Sequence, residues 1–303
     1  MLLLTIWPLF ALICLGYVLA RAGFPSAAFW PAAERMNYFV LFPALLVANL
    51  VDAPVRDPAI LRLGGAMVVT TCIAALAMTI VRNTAMKAPA ARFGPALQGV
   101  VRFNTYLGLA ITASLAGTEG LERAAVLLAV GVPLVNVLSI IALSEASVLR
   151  HPLPLLKTMA RNPLILGCVV GIALALAGTG LPFGSKRVLE FLAQASLPLG
   201  LLCVGAALQP KAIRQDVVAL AGPSALRLIA MPALGAGVAA IFGLDGVEAL
   251  VLVVFMAIPT APTAYVLTRQ MGGDGTLMAG LVTLQTLAAV LTIPLMLWLL
   301  GIA

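Results

Sequence analysis

The chain has 303 residues, 62% of them hydrophobic and only 10% charged, with a mean hydropathy of +1.12. A soluble domain carries about 25% charged residues, so lipid must be the solvent for most of this surface. At about 20 apolar residues per span, the length holds about ten helices and no separate soluble domain. The net charge of +7 is scattered through the polar connections without an aromatic or Arg-rich face, which argues against nucleic acid as a partner.

Apolar runs bounded by charges, Gly and Pro predict helices over about 2–20, 33–51, 60–81, 97–116, 121–143, 162–178, 189–208, 217–242, 247–269 and 276–301. The first run lacks the basic start of a signal peptide and is long for an h-region, so it reads as a retained helix. Cys14, Cys72, Cys168 and Cys203 fall inside apolar runs without a CxxC spacing and read as small core residues. Gly272, Gly273, Asp274 and Gly275 read as a turn.

Residues 7–23, WPLFALICLGYVLARAG, return 155 positions later as NPLILGCVVGIALALAG at 162–178, and Pro43 meets Pro198 at the same offset. Two copies of one unit are implied, 1–150 and 151–303, joined by the polar stretch from Glu145 to Arg161. Five helices per copy is an odd number, so the second copy is inverted relative to the first. Eleven Lys and Arg fall on one set of connections, among them Arg35, Arg82, Lys211 and Arg269, and five on the other: Arg56, Arg62, Arg123, Lys186 and Arg187. The richer side is expected in the cytoplasm, which places both termini outside a cell inner or plasma membrane.

Interrupted backbone at membrane depth survives only where the freed groups line an enclosed cavity. Pro259, Thr260, Pro262 and Thr263 make one such cluster in helix nine, read as a broken helix, with a Pro kink whose threonines bond their own helix as the alternative. Under the 155-residue offset Pro259 falls on Asn104, within the stretch Arg102 to Gly108 of helix four. Asn104, Thr105, Tyr106 and Gly108 there join the candidate substrate site, with interhelical packing as the competing role of Asn104 and Thr105. Of the remaining polar residues at depth, Asn37, Asn136 and Gln285 are the better candidates to reach a cavity. Asn49, Gln194, Ser196, Thr283 and Thr286 read as packing contacts. Arg102 either attracts an anion or snorkels to the interface.

FPALL at 42–46, NPLILG at 162–167, LPLGLLCVGAAL at 197–208, PTAPTAYVL at 259–267 and IPLMLWLL at 293–300 resemble, in order and spacing, the auxin efflux carrier family of the bile acid, arsenite and riboflavin transporter superfamily. The resemblance implies an all-α membrane fold of ten helices in two inverted five-helix repeats, with helices four and nine broken and crossing, and transport by an elevator movement. It also implies an organic anion as substrate, such as auxin or a small carboxylate. The family's Gly-X-Pro of helix four reads Gly108-Leu109-Ala110 here.

The function expected is therefore a carrier for a small organic anion, held by half-helix N-termini together with Asn104 and threonine hydroxyls. The acidic residues, Glu34 included, fall in connections or at helix ends, and the single histidine, His151, lies in a connection. A deep proton relay is not expected, and the membrane potential alone would drive anion efflux. A proton-coupled importer, a sodium-coupled importer using backbone carbonyls and Asn/Thr oxygens, and a channel or sensor on the same fold stay open. So does the oligomeric state, a homodimer included. No catalytic motif, metal-ligand cluster or cofactor signature is present, and one histidine excludes HExxH, so an enzyme is not expected.

Overall fold

The computed structural model describes residues 2–53, 57–144, 162–178, 181 and 184–302, and every regular element among them is helical. The first half runs through α1 (Leu2–Arg21), α2 (Phe29–Met36), a π-turn at Asn37–Leu41, α3 (Phe42–Leu50), α4 (Pro58–Val81), α5 (Ala90–Val101) and α6 (Thr105–Leu143). The second half holds α7 (Pro163–Ala177), α8 (Ser185–Ala206), the short α9 (Pro210–Ile213) and α10 (Val217–Ala225), then a π-turn at Leu226–Ala230, α11 (Met231–Ile241), α12 (Gly246–Ala257), α13 (Thr263–Gln270) and α14 (Gly275–Leu299). Six helical stretches are long and apolar enough to cross a membrane, while α7 and α12 are shorter apolar helices. Arg56, His151 and the stretch from Glu145 to Arg161 lie outside the described residues.

Three expectations from the sequence need correction. Helix two starts at Phe29 rather than near 33, because Pro31 falls in its first turn, where the missing N–H costs nothing. Glu34 is thus inside a helix that continues to Leu50, and is only partly exposed. Cys14 and Cys72 are exposed and face outward instead of packing in the core.

The helical run from Thr105 to Leu143 is kinked at Gly117, whose φ of 57° and ψ of −142° suit glycine alone. Two helices therefore meet there, and a Cβ on Gly120 would lie 2.5 Å from the Thr112 carbonyl oxygen across the kink. Helix α12 is buried on every side, with Ala249 through Ile258 at most 8% exposed, as a helix that is apolar all round requires. It forms the centre of the molecule. Leu4, Val218 and Ile241, by contrast, are 74%, 88% and 82% exposed, a periphery suited to lipid and not to water.

Close helix contacts are made through glycine. A Cβ on Gly16 would lie 2.1 Å from the Leu202 carbonyl oxygen, and one on Gly205 would lie 1.8 Å from that of Ile13, so α1 and α8 touch backbone to backbone. Gly171 of α7 leaves room instead for a side chain of α3: a Cβ there would lie 2.6 Å from the Leu50 Cβ and 3.4 Å from the Val47 Cα. Gly171 and Val47 are the positions that the 155-residue offset assigns to Gly16 and Leu202. Helices α1, α3, α7 and α8 make one packing group; α4, α5, α10, α11, α12 and α14 make another, with α6 touching both.

Candidate functional site

Two helices stop and restart beside each other at the centre. Between α5 and α6, Arg102 to Asn104 are non-helical; between α12 and α13, Ile258 to Pro262 are. The Asn104 N–H donates to the Pro259 carbonyl at 2.8 Å, tying one break to the other. In the first break no proline is needed, because the Asn104 side chain accepts from the Leu107 N–H at 3.2 Å and caps α6. Phe103 stacks edge-on against Phe255 with centroids 5.4 Å apart. The expected break over Asn104 to Gly108 is thus shifted toward the N-terminus, and Thr105 to Gly108 are helical. Gly108 serves packing instead: a Cβ there would meet Phe255 and Ile258 at 2.8 Å.

Three carbonyls near the end of α5, those of Gln98, Gly99 and Val100, are met by side chains from elsewhere, as burial favours. The Thr260 hydroxyl donates to the Gln98 carbonyl at 3.0 Å. Gln285 Nε2 donates to the Gly99 carbonyl at 3.0 Å, while its Oε1 accepts from the Thr260 N–H at 3.0 Å. Arg227 Nη1 donates to the Val100 carbonyl at 2.9 Å, and its Nη2 and Nε reach the Phe255 and Ile258 carbonyls, each at 2.6 Å. Gln98 Nε2 donates to the Thr268 hydroxyl at 2.9 Å.

On the opposite face of the crossing lies a cavity of about 540 Å³. Its walls come from α2 and the π-turn after it (Glu34, Arg35, Tyr38), from the first break (Arg102, Asn104, Thr105, Tyr106) and from Asn136 of α6. Asn162, Cys203, Pro262, Thr263 and Gln270 complete them. The N-termini of α6 and α13 face this space, and the Thr105, Tyr106 and Thr263 N–H groups have no acceptor among the described residues. In the cavity wall two buried donors, Arg102 Nη1 and Asn104 Nδ2, have no partner among the described residues. Arg102 Nη2 stands 3.5 Å from the Thr263 hydroxyl. Such an assembly of oriented N–H groups and a guanidinium suits a carboxylate.

Six of the eleven residues expected at the site therefore line the cavity: Asn104, Thr105, Tyr106, Asn136, Pro262 and Thr263. The other five do not. Gly108, Pro259, Thr260 and Gln285 build the crossing, and Asn37 is turned to Ser196, donating to its carbonyl and accepting from its hydroxyl, both at 2.9 Å.

A sequence profile of the membrane transport protein family matches residues 1–297. The chain belongs to that family. It is 25% identical over 299 residues to an uncharacterized transporter of Methanothermobacter thermautotrophicus, covering 96% of each chain. It is 25% identical over 307 residues to a Rhizobium meliloti protein named "Putative malonate transporter", covering 96% of this chain and 93% of that one. The family is one of transporters and both relatives are named as transporters, and several apolar helices agree with a multi-pass membrane protein.

Sequence reasoning missed Glu34, Tyr38, Asn162 and Gln98 as residues of the site: Glu34 and Tyr38 lie within a continuous helical run, Asn162 caps α7 and Gln98 lies in the last turn of α5, and none stands out locally. Arg227 did carry one. A lone arginine in the middle of the 217–241 apolar run marks function by default.

Proposed function

We propose that this member of the membrane transport protein family is a secondary carrier for a small organic anion, a dicarboxylate of malonate size. It works by elevator-type movement of the crossing-helix group against the other group. The observation that carries the reading is the pair of buried, unmatched donors, Arg102 Nη1 and Asn104 Nδ2, beside two helix N-termini in one cavity. Each N-terminus presents roughly half a positive charge, so together with Arg102 the cavity offers about two, which suits a dianion better than a monoanion. The Rhizobium meliloti relative's name points to the same substrate class.

Ten crossings in two inverted five-helix repeats, 1–150 and 151–303, are supported by the Asn104–Pro259 bond and by the repetition of the Gly16–Leu202 contact as Gly171–Val47. The cavity lies where the two packing groups meet, the place a substrate occupies when one group slides past the other. Arg35, Asn162 and Gln270 in its walls stand on the side with the greater number of Lys and Arg. On that basis the cavity faces the cytoplasm, and both termini lie outside. An inside-negative potential favours anion exit by about 2.3 kcal/mol per charge per 100 mV, and efflux is the direction assigned.

Labelled malonate trapped in proteoliposomes, released under imposed potassium diffusion potentials, tests the reading. Saturable counterflow that responds to voltage supports it. Flux through single-channel currents, or none with any small mono- or dicarboxylate, overturns it. Glu34 in the cavity wall favours one variant, a carrier that moves a proton with the anion; Glu34→Gln would then remove the pH dependence of flux and leave the voltage response.

A further inference from the structure

We propose that Arg227 is a built-in cation that occupies the place a coupling sodium ion would take, so that the carrier runs without sodium. The inference rests on the carrier reading above and adds its coupling. Helix C-terminal ends and unwound carbonyls that converge at a broken-helix crossing are the usual coordination shell for a monovalent cation in transporters. Here three such carbonyls, those of Val100, Phe255 and Ile258, belong to the two interrupted segments and all accept from one guanidinium, at 2.9, 2.6 and 2.6 Å. Arg227 is fully buried, and no carboxylate pairs with it among the described residues. Its countercharge is the backbone itself: two helix C-termini supply roughly half a negative charge each, about one in total, which a single guanidinium neutralises.

Position in the chain agrees. Arg227 opens from the π-turn Leu226–Ala230, where the widened backbone carries the side chain inward; π-turns of this kind gather at functional sites. The 155-residue offset assigns Cys72 to the equivalent place in the first half, and Cys72 is exposed. The repeat therefore does not require an arginine there. One half has acquired it, and with it the crossing is charge-balanced before any ion arrives. A second cation in the same shell would meet a fixed positive charge and no free carbonyl. Each transport turn then moves only the substrate's own charge and that of any proton it carries.

The test compares purified wild type with Arg227→Ala in sodium chloride and in choline chloride at equal ionic strength, reading melting temperature without substrate and malonate counterflow in proteoliposomes. For the wild type, neither quantity should differ between the two salts. The alanine variant, with three bare carbonyls and about one uncompensated negative charge, should melt lower in choline and recover several degrees as sodium saturates the vacated shell. If Arg227→Ala does not fold, Arg227→Gln, which keeps donors but no charge, should show the same sodium-dependent recovery. A saturable sodium shift or sodium-driven flux in the wild type overturns the inference, as does a folded variant indifferent to sodium. Loss of malonate flux in every salt with a sodium-insensitive wild-type melt, by contrast, strikes the substrate reading and leaves Arg227's role to the melting data.

Discussion

Asn104 donates its backbone N–H to the carbonyl of Pro259 at 2.8 Å, and the two residues lie 155 positions apart, the offset at which residues 7–23 return as 162–178. In the proposed two-repeat arrangement each is the other's counterpart, and such a bonded pair stands beside the axis that relates the copies. The bond runs one way only, since Pro259 has no N–H to return it; the Asn104 carbonyl is instead taken by the Gly108 N–H at 2.9 Å. The Asn104 side chain caps α6 through Oδ1, and its buried Nδ2, on a residue of the cavity wall, has no partner among the described residues.

That division of labour can be separated by Asn104→Asp. The carboxylate keeps the cap, which is worth about 1 kcal/mol, but replaces the Nδ2 donor with a negative charge. Melting temperature should change little, while the upward shift that malonate induces in the wild type disappears. Retention of the malonate shift would place the anion elsewhere.

Under the proposed function, Arg102 is the residue that sets how much negative charge the cavity accepts. Arg102→Gln leaves the two helix N-termini and removes the guanidinium, so malonate binding should weaken by about 10- to 100-fold while a monocarboxylate such as acetate is affected less. Competition of both anions against labelled malonate checks the ratio. Equal losses for the two would show that Arg102 contributes general attraction and no preference for dianions.

Gln285 is a fastener and not a ligand in this arrangement. Replacing it with leucine leaves the Thr260 N–H and the Gly99 carbonyl buried and unpaired, a loss of about 3 kcal/mol for the two groups, with Gln98 and Thr260 unable to reach both. Melting should fall by several degrees and fall equally with and without malonate. A variant that melts like wild type but loses malonate binding would instead return Gln285 to the cavity.

How much of this was legible depends on the kind of signal. The membrane environment and the positions of most helices follow from apolar runs, and the break in helix nine follows from Pro259 and Pro262, which forbid regular helix whatever surrounds them. The break in helix four is legible through the offset from Pro259, through the polar residues beside Gly108 and through the family resemblance, but the non-helical segment begins at Arg102, before Asn104, because tertiary contacts of Phe103 and the crossing bond decide where. The same limit applies to Thr260 and Gln285. Sequence shows that a buried polar group needs a partner, not whether that partner is a ligand or a carbonyl across the crossing. Glu34 was misplaced for a plainer reason, a helix start moved by Pro31.

Acid should loosen the start of α10. Asp216, just ahead of that helix, accepts from the Ala219 N–H at 3.1 Å and pairs with Arg92, and these two partners hold its carboxyl below the usual 3.8. A depressed folded value stabilises the fold above the unfolded value and the benefit is lost as pH falls through the folded one. The advantage in melting temperature of wild type over Asp216→Asn should therefore be constant at neutral pH and shrink below about pH 4. An advantage that persists unchanged in acid would mean that the carboxylate charge adds nothing.

The far end of the molecule carries the strongest ion-pair cluster, and its position suggests what it does. Arg123 is 8% exposed; it meets Glu248 of α12 at 2.7 Å, Glu119 at 3.5 Å and Asp57, the cap of α4, at 3.9 Å. Along α6, Arg123 lies about 25 Å, at 1.5 Å per residue, from Ile140 in the cavity wall, so the cluster closes the side away from the cavity. Removing one member of a nearly buried pair costs about 2 kcal/mol or more, enough to shift a two-state balance by more than tenfold. With Cys14, Cys72 and Cys168 replaced by serine, Cys203 in the cavity wall should react with an impermeant maleimide only from the cavity's own side in the parent. In Arg123→Met it should become reactive from the opposite side too, because the closed face opens more often. Unchanged one-sided labelling in a folded Arg123→Met protein would show that the cluster holds helices together without governing access.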